Sequence, residues 1–110
     1  MHFIMKNSLK IYLDDMREAP EGWTLVKTVG EAIEKLKRGN VVEISLDHDL
    51  GDDSSGTGYD VILWIEKAVV EDGFIPPKIL IHSANVSARV KMELGIGRIQ
   101  SIHRLIINKN

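Results

Sequence analysis

Three short apolar runs in this chain each end in a cluster of polar side chains. With their clusters, the runs read IYLDD, ISLDHD and ILIHSAN. Short runs rich in isoleucine, leucine and tyrosine are typical of strands in a buried sheet. Because neighbouring strands of a parallel sheet end at one edge, the side chains that follow them open onto a common crevice. The sequence therefore predicts a parallel sheet with a ligand site at its carboxyl edge.

The segments between these runs predict helices, with one exception. Thr28 has Glu31 at the capping-box position, and the apolar spacing that follows predicts a helix over residues 29–38. Helical periodicity resumes at Tyr59, after the third strand. In contrast, the segment MREAPEG between the first strand and the run WTLVKTV is too short for the long helix that usually joins parallel strands. The predicted strands are Leu9–Leu13, a second from Trp23, a third over residues 42–46, and KILIHSAN.

The last twenty residues leave two interpretations open. Apolar residues from Val90 to Ile106 approximate one helical stripe, but Gly95 and Gly97 each weaken a helix by about 1 kcal/mol relative to alanine. The stripe predicts one helix, and the alternative is a broken helix or a helix followed by a short strand LII. Strands alternating with helices in 110 residues predict one α/β domain over residues 1–110.

Composition narrows the functional classes. The formal charge is -2 and the sequence lacks a Lys/Arg-rich block, so we expect no binding to duplex nucleic acid, while a small, nucleotide-like phosphorylated ligand stays open. The absence of cysteine means that any metal must be held by oxygen or imidazole. Without an apolar stretch of about 20 residues or a signal-peptide pattern, we expect no membrane association and a cytoplasmic protein.

Four aspartates follow the first and third strands. Asp14 and Asp15 follow the first, and Asp47 and Asp49 belong to the second cluster. A lone pair of aspartates more often caps a helix or solvates a loop, but four carboxylates converging from two strand ends repel one another unless a divalent cation or a raised pKa relieves the repulsion. We therefore expect Mg²⁺ or Mn²⁺ held by these four residues. If strand geometry persists, alternation places Asp47 and Asp49 on one side and His48 on the other.

The remaining polar residues of the clusters suggest proton transfer and phosphate binding. His48 and His82 are candidate general acids or bases, since imidazole titrates near neutral pH, although a structural role is equally expected for each. Ser83 and Asn85 are candidate phosphate donors, and Ser83 is also grouped with the catalytic candidates. Arg17 could clamp a phosphate with its planar guanidinium or form a surface ion pair.

The loop LGDDSSGTG after the third strand matches neither of two familiar motifs. It is not an EF-hand, because Gly58 stands where glutamate should close the site, and it lacks the Gly-Lys-Ser/Thr ending of a phosphate-binding loop. Asp52 and Asp53 are better explained by turn formation and solvation. We leave them outside the predicted site.

Taken together, the segments LDDMREAPEGW, SLDHDLG, TGYDV and PPKILIHSAN resemble the cyclic-phosphate processing receiver domain family, a receiver-like variant of two-component response-regulator domains. The resemblance covers about residues 10–106. It implies a flavodoxin-like, receiver-like three-layer sandwich around a short parallel sheet of four strands, with a fifth left open and the first helix curtailed. It also implies a metal-dependent site for cyclic phosphates.

The resemblance to ordinary receiver domains is less complete. There, the first acidic pair binds Mg²⁺, the aspartate after the third strand accepts a phosphoryl group, and a hydroxyl after the fourth strand contacts it. By resemblance these roles fall to Asp14 with Asp15, Asp47 and Ser83. The lysine that follows a fifth strand in receivers has Lys109 as its only late candidate here, which argues against a reversible phospho-switch.

Three functional hypotheses follow. The leading one is a metal-dependent enzyme that hydrolyses a cyclic phosphate of a nucleotide or an RNA end, with water or Asp47 attacking phosphorus and His48 or His82 serving the leaving oxygen. The alternative is a signalling module that is phosphorylated on Asp47 or binds a phosphorylated ligand without turnover. The third is a metal-binding scaffold without chemistry.

Overall fold

The computed structural model describes residues 8–51 and 56–109. Its strands are β1 (Leu9–Leu13), β2 (Thr24–Val26), β3 (Val41–Leu46) and β4 (Lys78–Ile81), and its helices are α1 (Val29–Lys37), α2 (Gly58–Asp72) and α3 (Val86–Asn108). All strand pairs are parallel, in the order β2-β1-β3-β4. The predicted receiver-like α/β class is therefore confirmed. Asp52 and Asp53 lie outside the described residues.

The helices begin where the capping residues indicate. The Thr28 hydroxyl accepts a hydrogen bond from the Glu31 N–H at 3.1 Å, as the capping-box spacing predicts. At the start of α2 the Thr57 N–H donates to the Asp60 carboxylate at 2.8 Å. Gly73, which has a φ of 65°, ends α2 in the left-handed conformation that glycine adopts most readily. Local chemistry thus defines these helix ends.

The tail forms one unbroken helix, so the short strand LII is not formed. Gly95 does not interrupt α3, because its missing side chain serves packing: a Cβ there would lie 2.7 Å from the Ile62 side chain of α2. The two helices can therefore approach closely. The stabilisation from this packing offsets the low helix propensity of two glycines. No helix in the described ranges is long and apolar enough to cross a membrane.

The two faces of the sheet differ in what covers them. The connections through α1 and α2 step in the same direction along the sheet, so right-handed crossovers place both helices on one face. Helix α3 packs against α2 in the same layer. We call this the helix-covered face. Four of its strand residues, Ile11, Leu13, Ile44 and Leu46, are fully buried.

The opposite face carries the alternate residues, and we call it the polar face. It includes Lys10 and Tyr12 of β1, Glu43 and Ser45 of β3, and Lys78 of β4. The chain connects β1 to β2 without a helix, which confirms that the first helix is curtailed. Among the described residues, the third layer of the predicted sandwich is therefore not formed by a helix.

Candidate active site at the carboxyl edge of the sheet

Three site residues are positioned by hydrogen bonds that extend the sheet one residue beyond its strands. The N–H of Asp14 donates to Val26 of β2, that of Asp47 to Leu13 of β1, and that of His82 to Leu46 of β3, each at 3.0 Å. Their backbones therefore continue the hydrogen bonding of the sheet. This places the first residue after each of three adjacent strands at one edge, as the sequence predicts.

Side chains of these three residues converge. One carboxylate oxygen each from Asp14 and Asp47 and one ring nitrogen of His82 lie within 4.8 Å of one another. We call these three residues the Asp–Asp–His cluster. Ligands at about 2.0–2.2 Å from one ion are at most about 4.4 Å apart, so small side-chain movements would bring the three atoms onto one divalent ion. The donor set fits a cation.

Asp14 is the most constrained member of the cluster. Only 1% of its surface is exposed, and its Oδ1 accepts hydrogen bonds from the N–H groups of Met16 and Arg17, both at 2.8 Å. Burial favours the neutral acid, but these backbone donors and the neighbouring His82 together hold the pKa of Asp14 below its ordinary value. Asp14 is therefore a fixed anion whose Oδ2 remains directed to the cluster.

The pKa of Asp47 shifts in the opposite direction to that of Asp14. Burial, and then the negative charge of Asp14, raise the pKa of the Asp47 carboxyl, against the hydrogen bond from the His48 N–H at 2.8 Å. The first turn of α2 lies directly against this segment, since a Cβ on Gly58 would collide with the main-chain oxygen of Asp47. Two carboxylates are thus held together with incomplete charge compensation, which is the electrostatic condition that favours a bound cation.

His82 lies within the cluster and is fixed by its neighbours. Its Nε2 lies 3.1 Å from Asp14 Oδ2 and its Nδ1 lies 2.7 Å from Ser45 Oγ. The ring also stacks on Tyr12, with 4.0 Å between centroids and 5° between planes. Burial lowers the pKa of His82 even though Asp14 and Asp47 favour its charged form. The imidazole is therefore a neutral group near pH 7.

The other two predicted metal ligands lie outside the Asp–Asp–His cluster. The carboxylate of Asp15 is directed to the loop at Gly51, where an added Cβ would lie 2.8 Å from its Oδ2. The side chain of Asp49 is 63% exposed. β3 ends at Leu46, so the condition for placing Asp47 and Asp49 on one side by strand alternation is not met. Metal binding by either residue stays a prediction.

Asp49 instead joins a small network with His48. Its Oδ1 lies 3.1 Å from His48 Nδ1, and its Oδ2 accepts a hydrogen bond of 3.4 Å from the amide of Asn85. A carboxylate only accepts hydrogen bonds, so this contact places the hydrogen of a neutral His48 ring on Nδ1. His48 thus has an orienting carboxylate, whereas the strand pattern alone had set the two residues apart.

The predicted phosphate donors have structural partners. Ser83 is buried, and its Oγ accepts a hydrogen bond from the Asn85 N–H at 3.1 Å. The Asn85 side chain caps α3 by accepting from the Ala88 N–H at 3.0 Å. Arg17 donates through Nη1 to the His82 carbonyl at 2.9 Å and lies 3.7 Å from the Asp14 carboxylate. Phosphate binding by these residues stays a prediction.

A polar partner of the cluster was missed from the sequence. Ser45 is 6% exposed and hydrogen-bonds the His82 ring, but within the run ISL it reads as an ordinary strand residue. A signal did exist, because alternation within β3 puts Ser45 on the face opposite to the apolar Ile44 and Leu46. Its partner, 37 residues later, could not be identified from that pattern.

The family comparison agrees with this geometry. A family model described as the cyclic-phosphate processing receiver domain matches residues 9–98. This chain belongs to that family. The matched range contains every residue of the Asp–Asp–His cluster and the network around His48, so this receiver-like domain carries its candidate site within the family's own boundaries. Searches of curated proteins and of solved structures gave no significant match.

Proposed function

We propose that this receiver-like protein hydrolyses a cyclic phosphate, of a cyclic nucleotide or of an RNA end, with a divalent cation bound at the Asp–Asp–His cluster. The observation that carries the proposal is the convergence of Asp14, Asp47 and His82 from three adjacent strand ends within 4.8 Å. Membership of a family described by cyclic-phosphate processing gives the substrate class. Hydrolysis and the metal requirement are our own inference.

Asp14 and Asp47 would hold the cation. Asp14 Oδ1 is engaged by two backbone N–H groups, so its Oδ2 is the oxygen available to a ligand. When bound, the cation would supply Lewis-acid polarisation of the phosphate oxygens. Mg²⁺ and Mn²⁺ both meet the carboxylate chemistry of this pair.

Arg17 would orient the phosphate beside this pair. One of its nitrogens is held by the His82 carbonyl, which fixes the guanidinium near Asp14. Arginine carries five N–H donors in a planar fork, so further donors remain for phosphate oxygens. Since the side chain is about half exposed, a substrate can reach it from solvent. Arg17 would therefore serve in binding and charge stabilisation.

His48 would serve as the general acid. In the proposed reaction a water oxygen bonds to phosphorus, the bond from phosphorus to a ring oxygen breaks, and the attacking water releases a proton to solvent. The leaving oxygen takes a proton from Nε2 of the His48 imidazolium, which Asp49 steadies through Nδ1. We assign separate roles to the two histidines, because both ring nitrogens of His82 already contact a neighbour, Asp14 Oδ2 or Ser45 Oγ.

The test is a ring-opening assay. Purified protein is incubated with nucleoside 2′,3′-cyclic phosphates, nucleoside 3′,5′-cyclic phosphates and an RNA ending in a cyclic phosphate, with Mg²⁺, with Mn²⁺ and with chelator. We expect metal-dependent ring opening that Asp47→Asn reduces by at least about 100-fold, the scale of losing a group that stabilises developing charge. Glu34→Gln, which removes an exposed carboxylate of α1, should leave the rate unchanged. Activity that survives Asp47→Asn would disprove the proposed centre.

The signalling alternative retains one supporting observation and meets one difficulty. Asp47 is placed as a phosphoacceptor would be, beside Asp14 at the end of β3. Lys109, however, follows α3, whose 23 residues extend about 34 Å from the site-proximal Asn85, so it does not reach Asp47. Stable modification of Asp47 by acetyl phosphate, without turnover of any cyclic phosphate, would favour signalling over hydrolysis.

A further inference from the structure

His82 has one ring nitrogen close to the carboxylates of both Asp14 and Asp47. Its side chain is 16% exposed, and Nε2 is the ring atom that faces Asp14 Oδ2, at 3.1 Å. It is also one of the three groups whose ligand atoms meet within 4.8 Å. A cation held by Asp14 and Asp47 would therefore encounter an imidazole nitrogen as its nearest third donor from the cluster.

The ring of His82 is held by two neighbours, and its main chain by a third. Ser45 Oγ contacts Nδ1 at 2.7 Å, the Tyr12 ring covers one face at a centroid distance of 4.0 Å, and Arg17 binds the main-chain carbonyl at 2.9 Å. Metal-binding histidines characteristically use the second ring nitrogen for such an orienting hydrogen bond. The imidazole therefore needs little reorganisation before it can act as a ligand.

The hydroxyl of Ser45 suits both protonation patterns of a neutral ring. Without a cation, Nε2 faces a carboxylate and so carries the hydrogen, while Nδ1 accepts from Ser45 Oγ–H. For Nε2 to act as a ligand, the ring hydrogen must move to Nδ1, and Ser45 Oγ then accepts it. A hydroxyl donates in one state and accepts in the other, whereas alanine could do neither.

We propose that His82 Nε2 is a ligand of the cation, that Ser45 positions it, and that the site consequently selects a first-row divalent transition ion over Mg²⁺. The inference deepens the proposed function and rests on its cation site. Mg²⁺ favours an all-oxygen environment, whereas Mn²⁺, Co²⁺ and Zn²⁺ accept imidazole with increasing affinity. One nitrogen beside two carboxylates therefore shifts the preference away from Mg²⁺.

The competing arrangement is the all-oxygen set of Asp14, Asp15 and Asp47 that receiver resemblance implies. It requires the Asp15 carboxylate to leave its position against the loop at Gly51 and join the cluster. It also leaves His82 outside the coordination shell. The two arrangements differ in one measurable property, which is whether a nitrogen atom is bonded to the ion.

Pulsed electron paramagnetic resonance of the full chain loaded with Mn²⁺ measures that property directly. We expect a ¹⁴N coupling in the original protein, its loss in His82→Gln, and its retention in His103→Gln, which removes a histidine of α3 outside the cluster. A coupling that persists in His82→Gln, or a protein that does not bind Mn²⁺, would overturn the inference. Two results together would support the all-oxygen set instead. They are a spectrum of the original protein without a ¹⁴N coupling, and loss of Mn²⁺ binding in Asp15→Asn.

Titration calorimetry supplies the second measurement and tests Ser45. Mn²⁺ should bind the original protein at least about tenfold more tightly than Mg²⁺. In His82→Gln both ions should bind weakly and with similar affinity. Ser45→Ala should weaken Mn²⁺ binding by about 10–100-fold, the usual effect of losing an orienting partner. Ser45→Thr, which keeps the hydroxyl, should restore most of it. Equal affinities for Mg²⁺ and Mn²⁺ would contradict the inference.

Neither measurement depends on turnover. If the protein opens no cyclic phosphate with any ion but shows the His82-dependent ¹⁴N coupling, the proposed function fails and the inference about the ligand stands. If ring opening proceeds and the coupling is absent, the hydrolase proposal stands and the ligand inference fails. A thermal unfolding scan of each variant checks that the loss of binding is not a loss of fold.

Discussion

The two faces of this sheet differ in the contacts that their side chains make. On the helix-covered face, strand residues such as Ile11, Ile44 and Leu46 are fully buried among apolar neighbours. On the polar face, their immediate neighbours Tyr12, Ser45 and Glu43 make ring contacts, hydrogen bonds or ion pairs. Each strand thus contributes to both surfaces with a period of two.

The difference explains how a small domain can hold a charged cluster. Burial of apolar side chains on one face supplies the stability, at about 25 cal/mol per Å² of apolar surface. The polar face is therefore free to carry groups whose arrangement suits a ligand. Ser45 and Tyr12 point from that face to His82, which makes the polar face the support of the site.

The largest expected effect comes from a pair of neighbouring residues on opposite faces. Ile44→Ala removes a fully buried side chain of β3 and should lower the free energy of unfolding by about 2–5 kcal/mol. Glu43→Ala removes a partly exposed ion pair with Lys10, 3.3 Å apart, and should cost about 1 kcal/mol or less. Urea unfolding monitored by circular dichroism measures both. Equal decreases in the free energy of unfolding would contradict the proposed difference between the two faces.

Substitutions at two glycines of α3 test how closely α3 packs against α2. Gly95→Ala forces a methyl group against Ile62 and should destabilise the protein by about 1–3 kcal/mol. Gly97→Ala meets no atom within 4 Å and should stabilise it by up to about 1 kcal/mol through helix propensity. Thermal unfolding of the two variants side by side is the measurement. Effects of the same sign would contradict the close contact between α2 and α3.

Charge crowding at the end of the polar face predicts a stabilising substitution. Asp47→Asn removes one of two adjacent negative charges, and with chelator present it should stabilise the fold by up to about 1 kcal/mol, or roughly 4–8 °C in Tm for a domain of this size. The same variant should lose most of the Tm increase that Mn²⁺ gives the original protein. Destabilisation by Asp47→Asn in chelator would show that the repulsion is already compensated.

The smallest expected effect concerns pH in chelator. Burial lowers the pKa of His82 in the folded protein, so the unfolded chain binds the proton more readily. The contribution of neutral His82 to stability is complete above the ordinary histidine pKa, about 6.5. This contribution declines as the pH falls towards the pKa of His82 in the folded protein. Tm should therefore fall less steeply between pH 7 and 5 in His82→Gln than in the original protein. Identical slopes would place His82 in solvent.

Much of the fold could be predicted from residue patterns. Thr28 with Glu31 predicted the start of α1, and the short MREAPEG segment predicted the missing helix between β1 and β2. The end of the chain was harder, because helix propensity treats Gly95 and Gly97 alike. Only the neighbouring Ile62 distinguishes them, and α3 continues through both as one helix.

The position of the site was predicted from the sequence, and the structure adds the partners of its residues. Adjacent strand ends bring Asp14 and Asp47 together as expected. His82, predicted as an acid or base, lies in the cluster with them, while Asp49 pairs with His48. Strand alternation could not supply these partners, since β3 ends at Leu46 and the chain beyond it no longer has a period of two.

The amino-acid sequence by itself determined the parallel α/β class, the curtailed first connection and the polar strand ends, because each depends on patterns within a few neighbouring residues. The tertiary structure alone decided which side chains meet. The contacts of His82 with Asp14 and Ser45 join residues 68 and 37 positions apart. Such contacts depend on the order and register of the strands, which bring segments far apart in the chain to one edge of the sheet.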